Sequence, residues 1–257
     1  MKKSSFLVIF LVALLLGAGF ATKDSELVKA YVPVLLEQLQ AGESAPEPVL
    51  VSEAPKADAK VQAAAKADAD ILAITALDVG QGDSILLQMQ GKNILIDSGD
   101  RGEAARLLTK LEENHVEQID MLVATHPHAD HIGGMKAVLN RFPVKQVYDS
   151  GQNYKTKMYN DFRLQIEKEK IPFEVLRRGQ EVPINEMVKL KVLSPQTLYK
   201  GTASDANNNS LVLRLEYRDF SMLLTGDIQA EVERELLQTD PAALPAQVLK
   251  VAHHGSK

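Results

Sequence analysis

The 257-residue sequence predicts a layered α/β domain over residues 71–257, and three observations carry that expectation. Short apolar runs alternate with segments whose leucines and isoleucines recur every three or four positions, the two periods of strand and helix. Histidine and aspartate clusters stand directly after strand-like runs, where sites in α/β folds gather. A hydrophobic content of 45 % supplies enough apolar material for a packed core.

The elements follow in order. Met1-Lys2-Lys3-Ser4-Ser5 precede an apolar run over residues 6–20, and Gly19-Phe20-Ala21 offers a small-x-small-like cleavage site. This pattern predicts a signal peptide over residues 1–21 and a secreted or extracytoplasmic protein. The competing reading is an uncleaved membrane anchor, although a spanning helix needs about 20 apolar residues. Residues 22–70 read as an Ala/Pro/charged linker, with a short helix over 22–40 suggested by Leu27, Tyr31, Leu35 and Leu39 and opposed by Pro33. Strands are expected over 71–79, 84–90 and 93–97, separated by Gly80-Gln81-Gly82-Asp83 and Gly91-Lys92. A helix over 102–114 carries Ala104, Leu107, Leu108 and Leu111 on one face. Then come a strand over 119–125, a helix opening near Ile132, a strand over 144–149 and a helix over 156–170. Strands at 173–176 and 187–193, a hairpin of 210–217 with 220–225, a helix at 228–238 and a strand at 246–251 complete the pattern.

The chemistry concentrates in Thr125-His126-Pro127-His128-Ala129-Asp130-His131. Of six histidines, three stand here, two are His253 and His254, and His115 lies apart. Imidazole nitrogens and a carboxylate oxygen suit Zn²⁺, Mn²⁺ or Fe²⁺. A loop leaving a strand can aim His126 and His128 at one ion, and Asp130 and His131 at a second. Two such ions can hold a hydroxide and clamp the attacking and leaving oxygens. A histidine-rich surface loop is the competing reading, disfavoured by the strand before it.

The run resembles the signature of the metallo-β-lactamase superfamily. Ile94-Leu95-Ile96-Asp97-Ser98-Gly99, Leu223-Leu224-Thr225-Gly226-Asp227 and Val251-Ala252-His253-His254-Gly255-Ser256 are similar to its further motifs. Leu77-Asp78-Val79-Gly80-Gln81-Gly82-Asp83-Ser84 and Asn208-Asn209-Ser210-Leu211 resemble, more narrowly, the hydrolase domain of ComEC-type competence (DNA-uptake) proteins and their stand-alone secreted relatives. The resemblance implies an αββα sandwich and two divalent ions, Zn²⁺ or Mn²⁺. It implies that His126 and His128 bind one ion, that Asp130 and His131 bind the other, and that Asp227 bridges both. His253 then completes the second ion, and His254 either takes that place or contacts a substrate phosphate. Asp97 orients a ligand imidazole. Most members supply a third histidine to the first ion, yet no histidine lies between His131 and His253. Asn207, Asp205 or a water fills that position, and an oxygen ligand there favours a harder metal such as Mn²⁺. The resemblance also implies further strand and helix beyond the last ligand motif, so the domain is expected to be truncated at its C-terminus.

Composition bounds the partners. Cysteine is absent, which excludes thiolate ligands and disulfides. The net charge of −5 is no general nucleic-acid footprint, although residues 141–200 hold twelve Lys/Arg against seven Asp/Glu. Two divalent cations would still draw an anionic substrate. The leading expectation is a phosphodiesterase or nuclease acting on DNA, single-stranded by preference, with Asp130 orienting the attacking hydroxide and His254 or a water protonating the leaving oxygen. The alternatives are hydrolysis of ester, lactone, β-lactam or thioester bonds, and a non-catalytic DNA-binding accessory role. Tyr148, Tyr154 and Tyr159 are weaker candidates for base stacking, and His115 reads as a helix C-terminal dipole partner.

Overall fold

The computed structural model describes residues 71–256. The signal peptide and the linker expected over residues 1–70 lie outside the described residues. Among the described residues no helix is long and apolar enough to cross a membrane. The chain divides into two compact units between Leu176 and Arg177.

The first unit is one six-stranded sheet with helices. Strands β1 (Ala73–Ala76), β2 (Ile85–Met89) and β3 (Lys92–Ile96) form an antiparallel meander. Helix α1 (Ala104–Glu113) then carries the chain to β4 (Met121–Val123), which runs parallel to β3. The helix expected near Ile132 is two pieces, α2 (Ala129–Ile132) and α3 (Met135–Arg141), parted at Gly133-Gly134. Strand β5 (Val147–Asp149), helix α4 (Lys157–Glu169) and strand β6 (Phe173–Val175) complete the unit, and β4, β5 and β6 pair in parallel. The parallel strands read as apolar runs because both their faces are covered. Leu86, Leu95, Leu107, Leu111, Leu122, Met135, Val138 and Phe162 are buried together in this unit's core. Helix α4 starts where the Thr156 hydroxyl accepts the Tyr159 N–H, and it stops at Lys170 in the left-handed region.

The second unit is a five-stranded sheet ordered β11-β10-β9-β8-β7. Its strands are β7 (Glu181–Pro183), β8 (Val188–Ser194), β9 (Val212–Tyr217), β10 (Phe220–Leu224) and β11 (Val248–Lys250). Between β8 and β9 stands α5 (Asp205–Asn208), and between β10 and β11 stands α6 (Ala230–Thr239). The hairpin turning at Arg218-Asp219 is present, with Phe220 opposite Tyr217. Only β10 and β11 pair in parallel, so the chain leaves both at the same end of the sheet. Val212, Leu223, Ile228, Val232, Leu236 and Leu244 are buried in this unit's own core. β7, absent from the sequence reading, is a three-residue edge strand ending in proline, a residue tolerated only where no ladder hydrogen bond is required.

Candidate metal centre

In the first unit, neighbouring parallel strands deliver the site residues from the same sheet end. Asp97 follows β3, and its N–H donates to Val123 O at 2.9 Å, which ties the exit of β3 to that of β4. Its φ of 60° turns the chain sharply at a cost of about 1–2 kcal/mol for a non-glycine residue. The Asp97 side chain, 1 % exposed, receives three donors. Thr125 N–H reaches Oδ1 at 2.8 Å, while Thr125 Oγ1 and His131 Nδ1 reach Oδ2 at 2.6 and 2.8 Å. Burial pushes the Asp97 carboxyl above its usual range, and His131 and Thr125 pull against that shift.

These bonds set the imidazole tautomers. The Thr125 hydroxyl hydrogen is committed to Asp97, so its oxygen accepts from His126 Nδ1 at 3.2 Å. His131 Nδ1 donates to Asp97 in the same way. Both rings are held as the Nδ1–H form, whose Nε2 carries the lone pair that a cation requires. The rings of His126 and His131 are 4.1 Å apart between centroids, and those of His126 and His128 are 4.7 Å apart. Asp130 Oδ2 lies 3.9 Å from His131 Nε2. Three crowded imidazoles and a carboxylate, with two rings oriented by an anionic neighbour, form a donor set that fits divalent cations.

The loop that holds this cluster is also closed from below. Asp83 N–H donates to Asp130 O at 3.2 Å, and Ser98 Oγ donates to His131 O at 2.9 Å. Gly82, at φ +101°, passes so near the cluster that a Cβ there would sit 1.9 Å from Asp130 O. The Asp83 carboxylate reaches within 3.9 Å of His131 Nδ1. Of the three tyrosines, Tyr159 is buried and donates to Asp149 Oδ2 at 2.9 Å, a structural bond. Tyr154 meets the His128 ring edge-on at 5.7 Å between centroids. Tyr148 lies in β5, and His115 stands just beyond the C-terminus of α1.

In the second unit Asp227 follows β10, and the His253–His254 pair follows β11. Asp227 N–H donates to Ser210 Oγ at 3.1 Å, and its two carboxylate oxygens face His254 Nε2 at 3.4 Å and Lys250 Nζ at 3.6 Å. His253 and His254 both adopt left-handed backbone, at φ 50° and 51°. Two such residues in succession cost about 1–2 kcal/mol each, a strain of the kind that collects at functional sites. The turn sends the two rings to different neighbours. His254 approaches Asp227, whereas His253 stands with Nε2 3.5 Å from Asn207 Nδ2 and Nδ1 2.8 Å from Ser256 Oγ. Asp205 accepts from Gly201 and Thr202 and so anchors the start of α5.

The first unit therefore gathers His126, His128, Asp130, His131 and Asp97, and the second gathers Asp227 with His254 and Asn207 with His253. Sequence reasoning assigned no role to Thr125, Asp83, Lys250 or Ser256. Their positions beside histidines, aspartates and glycines in the quoted motifs were the available signal.

Comparison with known proteins agrees with this geometry. Residues 77–257 match the model of the metallo-beta-lactamase superfamily. The chain is 32 % identical over 201 residues to ComE operon protein 3 of Bacillus subtilis (strain 168), covering 70 % of this chain and 25 % of that protein. It is 31 % identical over 189 residues to Recombination protein 2 of Haemophilus influenzae, covering 72 % and 21 %. Against hydroxyacylglutathione hydrolase of Cronobacter sakazakii it is 29 % identical, covering 56 % and 45 %. The chain thus spans 25 % of the length of ComE operon protein 3 and 21 % of that of Recombination protein 2. Among solved structures, the metallo-beta-lactamase SMB-1 bound to 2-mercaptoethanesulfonate superposes with a TM-score of 0.50 at 14 % identity, covering 71 % of this chain and 77 % of that one, a likeness of fold alone. By its matched sequence and its site-bearing strand ends, this chain belongs to the metallo-β-lactamase superfamily.

Proposed function

We propose that this chain is a metal-dependent hydrolase of phosphodiester bonds in DNA, acting on single strands by preference and outside the cytoplasm. The observation that carries the metal dependence is the Asp97–Thr125 pair, which fixes His126 and His131 in the tautomer that ligates through Nε2. The proposed metal ligands are His126, His128, Asp130 and His131 in the first unit and, in the second, Asp227 with His253, or His254 in its place; the proposed ions are two, Mn²⁺ or Zn²⁺. When bound, such ions supply Lewis acidity and an activated water.

The residues of the chain then divide the work. Asp130 orients the attacking water and receives its proton as oxygen bonds to phosphorus. The bond from phosphorus to the leaving oxygen breaks, and that oxygen takes a proton from solvent. Asp97 receives the His131 Nδ1–H and so keeps the ring aligned with Nε2 turned away from it. Similarity to a relative named for recombination supports DNA as the substrate class. The apolar run over residues 6–20 supports export.

The similarity to hydroxyacylglutathione hydrolases favours a second reading, a thioesterase. A substrate panel separates the two. With Mn²⁺ supplied, an activated aryl phosphodiester should be hydrolysed well above a β-lactam, a lactone and a glutathione thioester. Turnover confined to the thioester would replace the phosphodiesterase reading.

A further inference from the structure

The run Asn207-Asn208-Asn209 places three buried carboxamides side by side, and their partners differ. Asn209 accepts the Tyr199 N–H at 2.7 Å through Oδ1 and donates to Tyr199 O at 3.1 Å. Asn208 accepts the Gln229 N–H at 2.9 Å and directs Nδ2 toward Glu231 at 3.4 Å. Both hold neighbouring segments of the second unit together. Asn207 is 3 % exposed, yet its Oδ1 has no hydrogen-bond partner among the described residues. A buried acceptor left in that state costs about 1–3 kcal/mol, so its oxygen does nothing to hold the carboxamide in its present orientation.

His253 faces the same carboxamide. The Ser256 hydroxyl donates to His253 O at 2.9 Å, so its oxygen accepts from His253 Nδ1 at 2.8 Å. The ring is therefore the Nδ1–H tautomer, with the Nε2 lone pair turned to Asn207. The backbone fixes this aim, because His253 N–H donates to Gly226 O at 3.2 Å and the residue sits in the left-handed region. Asn207 Nδ2 meets Nε2 at 3.5 Å, the weak limit of a hydrogen bond. A half-turn of the carboxamide exchanges nitrogen for oxygen and sets two acceptors against each other. Paired acceptors repel an anion and attract a cation. After that turn the oxygen would take the nitrogen's place, about 3.5 Å from Nε2, a separation at which two donors can share one divalent ion.

We propose that Asn207 Oδ1 and His253 Nε2 are joint ligands of one divalent cation, and that the carboxamide turns when the ion enters. This assignment rests on the metal-dependent reading above and deepens it. An oxygen and a single imidazole from this unit favour a hard ion, Mn²⁺ over a softer competitor.

The test is calorimetric titration of Mn²⁺ into the full chain as wild type, Asn207→Leu and Asn207→Asp, with thermal melts to confirm folding. Leucine matches the side chain in size and has no donor or acceptor. It should weaken one bound Mn²⁺ by about 10–100-fold, the loss seen even when a supporting partner of a metal ligand is removed. Aspartate keeps the oxygen and adds charge, so it should tighten the same ion, an effect that a purely structural asparagine would not produce. Equal Mn²⁺ binding by wild type and both variants overturns this assignment and leaves the metal-dependent reading standing. No Mn²⁺ bound by the wild type overturns both. If the leucine variant fails to fold, the aspartate variant decides, and binding no tighter than wild type overturns the assignment.

Discussion

Replacing Asp97 with asparagine keeps the shape of the side chain but exchanges one acceptor oxygen for a donor. Three donors meet at this carboxylate, two of them from Thr125 and one from His131. The amide oxygen can keep the Thr125 N–H. The amide nitrogen must then face Thr125 Oγ1 and His131 Nδ1. His131 can accept from it only as the other tautomer, with its hydrogen on Nε2. Thr125 can accept from it only by turning its hydroxyl, which then donates to His126 Nδ1 at the present 3.2 Å spacing. A single substitution thus drives both imidazoles toward the form that cannot ligate through Nε2. Losing a charge-assisted bond in a buried site costs about 1.5–3 kcal/mol, and coupling between neighbours makes about 3 kcal/mol a fair total. Metal affinity should fall by about 10–100-fold, equivalent to about 1.4–2.8 kcal/mol. Denaturant unfolding of the metal-free chain reads the first quantity and Mn²⁺ or Zn²⁺ titration the second. Thr125→Val is the control, because it removes the hydroxyl link to His126 and leaves His131 paired. Wild-type metal affinity in a folded Asp97→Asn protein would refute the tautomer argument.

Two further outcomes follow from the same geometry. Gly82→Ala forces a Cβ to 1.9 Å from Asp130 O at a residue with φ +101°, so it should destabilise the chain by about 4 kcal/mol or more and weaken metal binding together; a melting temperature equal to wild type would contradict the close approach. Tyr159→Phe removes the hydroxyl bond to buried Asp149 and should cost about 1.5–3 kcal/mol near neutrality, read by denaturant unfolding. Burial, then the Asp149 charge and bond, hold the Tyr159 hydroxyl well above its ordinary value of 10.0. The unfolded chain therefore ionises first, and the contribution of Tyr159 is full below pH 10 and declines above it. The phenylalanine variant should lose part of that alkaline decline, with Tyr199, shifted in the same direction by burial and Glu235, supplying the remainder.

Much of this architecture was legible because period and punctuation agree. The apolar run before His126 became β4, and the leucines of residues 102–114 became the buried face of α1. The helix expected to open near Ile132 is present as α3, with the short turn α2 set off from it at Gly133-Gly134. A Cβ on Gly134 would lie 2.5 Å from Ser98 O, so glycine there lets the ligand loop close and breaks the helix at once. β7 was invisible because three residues ending in proline carry no period. In the site, residue types announced the metal chemistry, but their pairing depended on backbone conformation. Nothing in His253-His254 as letters shows that two left-handed residues send one ring to Asn207 and the other to Asp227. Thr125 was similarly silent, because a threonine gains its role only when Asp97 turns to meet it.

Cleavage of an end-labelled single-stranded oligonucleotide by the purified chain tests the central claim most directly. With Mn²⁺ supplied, cutting should appear, vanish with chelator, and vanish again in Asp227→Ala, whose carboxylate faces His254 and Lys250. Cutting that persists in the folded Asp227→Ala protein, or an intact oligonucleotide beside wild-type protein with bound Mn²⁺, would contradict it.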